Sequence, residues 1–175
     1  VIMRKKKVLI LVIAILFSLL IVGTSYAYFG ASAQSNVQNY SVGDFSFTLT
    51  EDNGKLTLAS SYPISDTEGM ATDPYVFSVT NTGEVAANYQ IILKEDQEAI
   101  ANCGCTKILD MSNIKYQLDG GEIGVLSSGG NQVITEGSLN ASQKKTFSLR
   151  IWLKEDSGNE VLGTHFHGKI QVVFY

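Results

Sequence analysis

The sequence predicts an all-β protein: a two-sheet antiparallel β-sandwich preceded by an N-terminal hydrophobic signal helix. Two observations carry that reading. Short runs alternate apolar and polar residues at period two, the pattern of strands with one buried face. Between them lie clusters of Gly, Asn, Asp and Ser that reverse the chain, such as Asp52-Asn53-Gly54, Asn81-Thr82-Gly83 and Asp119-Gly120-Gly121. Roughly eight or nine short strands, each apolar on one side, bury that side only by packing one sheet on another. The periodicity leaves a jelly-roll and an Ig-like strand order both open.

The elements follow in order. Arg4, Lys5, Lys6 and Lys7 precede an apolar run, Val8 to Val22, interrupted only by Ser18. Gly23 and Thr24 then lead to Ser25-Tyr26-Ala27, with small residues where a signal peptidase reads the chain. This order predicts cleavage after Ala27, so that Tyr28 begins the mature protein. The competing reading is an uncleaved anchor, because Val8 to Ala27 is long enough to span a bilayer. Either way the basic residues stay in the cytoplasm and the body is exported. Tyr28 to Tyr40 has no periodic apolar face and reads as an extended or flexible arm.

From Ser41 the strand pattern takes over. Phe45, Phe47 and Leu49 alternate with Ser46, Thr48 and Thr50. Asp52-Asn53-Gly54 predicts a hairpin, with Leu56 and Leu58 resuming the alternation beyond it. Pro74 opens a strand with Tyr75, Phe77 and Val79 inward, and Tyr89, Ile91 and Leu93 repeat the pattern. Ile114, Tyr116 and Leu118 lead to Asp119-Gly120-Gly121, and Glu122 to Leu126 and Gln132 to Thr135 read as short strands. Phe147, Leu149, Ile151 and Leu153 oppose Ser148, Arg150, Trp152 and Lys154. The last strand runs from Thr164 to Phe174, with Phe166, Ile170, Val172 and Phe174 on one face. Only Glu95 to Met111 resists, and it reads as a loop or a single helical turn at the sandwich end. The domains are then residues 1–27 as signal peptide or signal anchor, 28–40 as arm and 41–175 as sandwich.

Charge and missing motifs narrow the function. The thirteen basic residues include the four at positions 4–7, which leaves nine against seventeen acidic residues, or −8, from Tyr28 onward. An acidic body does not attract nucleic acid or anionic headgroups through bulk charge, so contact with a membrane is expected only through residues 8–27. There is no H-E-x-x-H, G-x-S-x-G, P-loop or dinucleotide glycine fingerprint, and the reading is non-enzymatic. His165 and His167, the only histidines, share the outward face of the last strand. Two imidazoles can share Zn²⁺, but a catalytic zinc site takes three protein ligands and a structural one four. The sequence offers no third ligand at a convincing spacing, and no cofactor is expected. Cys103-Gly104-Cys105 can close a small local disulfide outside the cytoplasm, crosslink subunits or hold a soft metal. The acidic turns 51–54 and 156–160 can lend oxygens to Ca²⁺, but neither has the EF-hand spacing.

The order of features resembles the TasA/camelysin family of exported proteins. The likeness rests on the basic start and hydrophobic run, the junction Thr24-Ser25-Tyr26-Ala27-Tyr28-Phe29, the strand Ser41 to Phe47, and Tyr75 to Gly83 (YVFSVTNTG) with its Asn-x-Gly turn. It covers residues 20–93 and is thin beyond. It implies a SipW-type signal peptidase as partner and a β-sandwich subunit of the extracellular matrix or cell surface. It also implies self-association or binding to matrix proteins, with the mature N-terminal segment inserting as a strand into the next subunit of a biofilm fibre. The residues available for that role are Tyr28, Phe29, Val37 and Tyr40. The metalloprotease label that camelysin carries finds no zinc-protease motif here. The second reading is a membrane-tethered Ig-like binding or adhesion module, which aromatics on an outward face, such as Trp152, would favour.

Overall fold

A computed structural model describes residues 32–34, 38–42, 45–52, 54–59 and 61–175. The signal segment 8–27, the junction Ser25, Ala27 and Tyr28, and the arm residues Phe29 and Val37 lie outside those described. Residues Ala31–Phe174 form a compact unit. Its strands are β1 (Ser32–Gln34), β2 (Gln38–Val42), β3 (Phe45–Glu51), β4 (Leu56–Ala59), β5 (Tyr75–Asn81), β6 (Ala87–Glu95), β7 (Ile114–Leu118), β8 (Ile123–Val125), β9 (Asn131–Leu139), β10 (Lys144–Leu153) and β11 (His165–Phe174). Two short helices join them, α1 (Asp66–Met70) and α2 (Gln97–Asn102).

The unit is the two-sheet antiparallel sandwich that the alternation predicts. One sheet runs β1-β11-β6-β9, with β4 also paired to β11, and the other runs β2-β3-β5-β10-β7-β8. β4 takes His165 to Gly168 of β11 and β1 takes Gln171 to Val173, so the two share one side of that strand. The inward residues are the predicted ones: Phe47, Leu49, Phe77, Val79 and Leu149 face Ile91, Leu93, Phe166, Ile170 and Val172, all fully buried. Aromatic rings join the layers. Phe47 stacks on Phe174 with centroids 4.5 Å apart, and Tyr89 meets Phe147 edge-on at 6.1 Å. Such pairs add to area burial about 0.5–1.5 kcal/mol each.

Three local predictions meet the structure differently. The turn Asp119-Gly120 has positive φ at both residues, 52° and 71°, and closes the β7–β8 hairpin as a type I′ turn does. The hairpin expected at Asp52-Asn53-Gly54 is not formed: β3 lies between β2 and β5, and the chain crosses to the other sheet, where β4 joins β11. The reason lies in packing. Leu56 is buried opposite Gly168, where a Cβ would stand 2.7 Å from the Phe166 ring and 3.2 Å from Leu56, so only glycine lets both side chains close over it. β9 runs four residues beyond Thr135, to Leu139, because its backbone pairs with β6 whatever its side chains are. A bulge between Ile91 and Ile92 absorbs the shift in register.

Asn81 stitches the corner between the sheets. Its buried amide donates to the Val85 and Leu139 carbonyls at 2.8 and 3.1 Å, and its Oδ1 accepts from the Gly83 amide at 3.0 Å. Asn81 thus satisfies the Val85 carbonyl in the crossing from β5 to β6 and gives a second acceptor to the Gly83 amide, which also donates to the Ser46 carbonyl at 2.9 Å.

Candidate functional site

Two regions carry functional interest, the N-terminal edge strands and the loop that holds the cysteines. The segment read as an arm is extended, and the described part of it pairs within its own chain. Ser32, Ala33 and Gln34 pair antiparallel with Val173, Val172 and Gln171. Gln38 to Val42 pairs with Leu49 to Phe45, which sets Tyr40 opposite Phe47. β1 and β2 each end the strand order of a sheet, so the chain lines an edge of one layer and then an edge of the other. Both edges are held by main-chain hydrogen bonds, which any extended segment can supply.

The outward-facing aromatic expected at Trp152 is corrected by its surroundings. Trp152 does point away from the sandwich core, but it is 1% exposed because α1 lies over it. Gly69 presses directly on the indole, where a Cβ would come within 2.3 Å of the ring. The indole N–H donates to Asp66 at 3.3 Å, and Asp66 also pairs with Lys115 at 2.8 Å. The Lys115 ammonium holds the Asp66 carboxyl below its usual range. Ser65 caps α1 in a reciprocal box with Glu68. Trp152 therefore anchors a helix and offers no ring to a ligand.

The cysteine loop is built from the end of β6. Asp96 caps α2 by accepting from the Ala99 amide at 3.2 Å, and it pairs with Lys169 at 3.4 Å. α2 ends at Cys103, and Gly104, with φ 65°, takes the left-handed conformation that reverses the chain. The chain then runs parallel to the start of β11, where the Leu109 amide donates to the His165 carbonyl at 2.9 Å and the His165 amide to Lys107 at 3.0 Å. Leu109, 2% exposed, anchors this run in the core.

This path brings together groups that sequence spacing keeps apart. Cys103 and Cys105 form a disulfide across Gly104, with their Cα atoms 5.2 Å apart. The Cys105 sulfur lies 3.3 Å from His167 Nε2. The two sulfurs and an imidazole nitrogen of His167 lie within 4.8 Å of one another. His165 stacks on His167 with ring centroids 6.3 Å apart, on the outward face where both were expected. A cleft of about 720 Å³ opens beside the cluster, between the 54–57 segment, α2 and β11, with Asp96, Glu98, Asn102, His167 and Lys169 among its lining. Burial, then repulsion from Lys169, lowers the Lys94 pKa on the same face.

The sequence reading did not join His167 to the cysteines because Cys105 lies 62 residues away. The available signal was the pair of unusual features itself, Cys-Gly-Cys and a lone His-x-His. Among the described residues, no helix is long and apolar enough to cross a membrane. In comparison with known proteins, the chain matches no family model and no curated sequence.

Proposed function

We propose that the chain is a non-enzymatic exported protein of the cell surface or extracellular matrix, a sandwich subunit that assembles by exchange of its N-terminal strands. The observation that carries this reading is the place of β1 and β2. The segment that follows the predicted cleavage site supplies an edge strand to each sheet, and each strand is held from one side only. The same backbone hydrogen bonds form if a second copy donates the segment, so exchange leaves the pairing intact and joins neighbours. Signal processing frees the donor, which is why a SipW-type peptidase belongs with this reading. The tethered binding module loses its aromatic to α1, since Trp152 is buried.

The test is electron microscopy of protein beginning at Tyr28, beside protein beginning at Ser41 and a Ser32→Cys, Val173→Cys variant of the longer form. Those two positions are in register, so their disulfide locks β1 onto its own chain. Filaments from the longer form, absent from the other two under oxidising conditions and restored in the locked variant by reduction, are expected. Monodisperse particles from all three at high concentration would refute strand exchange and leave the tethered module.

A further inference from the structure

The cluster at the start of β11 has no part in strand exchange, and its composition is that of a ligand set. We propose that Cys103, Cys105 and His167, once the disulfide is reduced, form a three-donor site for Cu(I). Thiolate sulfur and imidazole are the donors that a soft monovalent cation selects. A structural zinc site takes four protein ligands and a catalytic one three with a fourth position left open to water, and the cluster supplies three. Cu(I) is satisfied by three in a plane.

The geometry needs little adjustment. With metal–sulfur bonds of about 2.3 Å and metal–nitrogen bonds of about 2.0 Å, two such ligands on a trigonal metal stand about 3.7 Å apart. Cys105 Sγ and His167 Nε2 are already 3.3 Å apart. Gly104, in its left-handed conformation, gives the backbone between the sulfurs the freedom to let them separate. The Cys105 amide donates to Cys103 Sγ at 3.1 Å, a contact that strengthens when the sulfur becomes a thiolate. Two thiolates and one Cu(I) leave a net negative charge, in a cleft that Lys169, itself paired with Asp96, lines together with Cys103 and His167. β11 fixes His167 from both sides, since the Asp96 amide donates to its carbonyl at 2.8 Å and β4 pairs Thr57 opposite it.

The chemistry balances in two steps. A dithiol reductant gives two electrons and two protons to the Cys103–Cys105 bond, which opens to two thiols while the reductant leaves as its own disulfide. Cu(I) then replaces the two thiol protons, which pass to solvent, and His167 binds through neutral Nε2 with its proton on Nδ1. A disulfide oxidant takes two electrons from the two copper-bound thiolates and, with two protons from solvent, leaves as its own dithiol; the Cys103–Cys105 bond re-forms and Cu(I) is released, so occupancy follows the redox state of the surroundings.

The test uses the full chain in detergent micelles, reduced, desalted under anaerobic conditions and titrated at neutral pH with Cu(I) held by bicinchoninate. One Cu(I) per reduced chain is expected to leave the chelator, and none with the oxidised chain. His167→Phe is expected to weaken binding by at least about tenfold, the scale on which a lost metal partner is felt. His165→Gln is expected to leave it unchanged. Equal binding by oxidised and reduced chains, or by His167→Phe and wild type, would overturn the proposal, as would displacement of the copper by equimolar Zn²⁺. X-ray absorption of the loaded wild type needs no variant: two sulfurs and one nitrogen around copper support the site, and a sulfur-only shell overturns it.

Discussion

Asn81 shows how a single polar side chain can hold a corner of an otherwise apolar fold. Removing its amide takes the side-chain donor from the carbonyls of Val85 and Leu139, while the Gly83 amide keeps its bond to the Ser46 carbonyl at 2.9 Å. Asn81→Ala is therefore expected to lower unfolding stability by about 2–3 kcal/mol, measured by urea denaturation. Asn81→Asp should cost at least as much, because a carboxylate cannot donate to the carbonyls. Tyr75 governs the alkaline side. Its hydroxyl donates to Glu51, and burial first, then that hydrogen bond, pushes the phenol pKa far above its ordinary value. The folded state keeps the proton that the unfolded chain releases from about pH 10 upward. Stability due to this group is complete below that pH and falls as pH rises through it. Tyr75→Phe should make the alkaline decline of stability shallower by one proton, and an unchanged slope in Tyr75→Phe would refute the assignment. On the acid side, Asp66, Glu68 and Asp110 have pKa values held down mainly by hydrogen bonds from Lys115, Ser65 and Ser112. Their stabilising effect is present above about pH 4 and is lost as pH falls through their lowered values.

Among the elements, α1 is the one the alternation does not announce. It has five residues, far too few to be stable alone, and persists because Trp152, Lys115 and Arg150 hold it on the outer face of the β5–β10–β7 sheet. Gly69→Ala improves helix propensity but drives a methyl into the Trp152 ring. The clash should prevail and destabilise the protein by about 1–3 kcal/mol, with a shift in Trp152 fluorescence as the indole is displaced. Ser65→Ala, which removes the cap without touching the indole, should cost about 1 kcal/mol and leave the emission unchanged. A stabilised Gly69→Ala protein would mean that α1 does not sit on Trp152. The strands make the complementary point. Alternation identified β3 and β4 correctly as strands with inward Phe47, Leu49 and Leu56, yet gave no information on which neighbour each would take. Period two states which face is buried; the choice of edge depends on where Gly168 leaves room for Leu56 and Phe166.

At the scale of the whole molecule, stability is graded from the centre of the sheets to their edges. β5, β10, β6 and β11 are paired on both sides and carry the fully buried rings and branched chains, whereas β1 and β2 end the strand orders. Amide exchange is therefore expected to be slowest at residues such as Ile91, Phe147 and Ile170 and much faster at Ser32 to Gln34 and Gln38 to Val42. Such local opening is what an exchange of strands between copies requires. Equal protection of β1, β2 and the central strands would count against that mode of assembly, independently of whether filaments are seen.

The sequence alone was sufficient for the fold class, the buried face of β3, β4, β5, β6, β10 and β11, the turn at Asp119-Gly120 and the outward position of His165 and His167. These depend on period-two alternation and local turn chemistry, which act within a few residues. Tertiary structure alone decided that β4 leaves β3 for β11, that the outward-facing Trp152 is buried under Gly69, and that Cys105 meets His167. Each of those is a contact between segments far apart in the chain, set by how shapes fill space once the sheets have formed, and neither periodicity nor spacing carries that information.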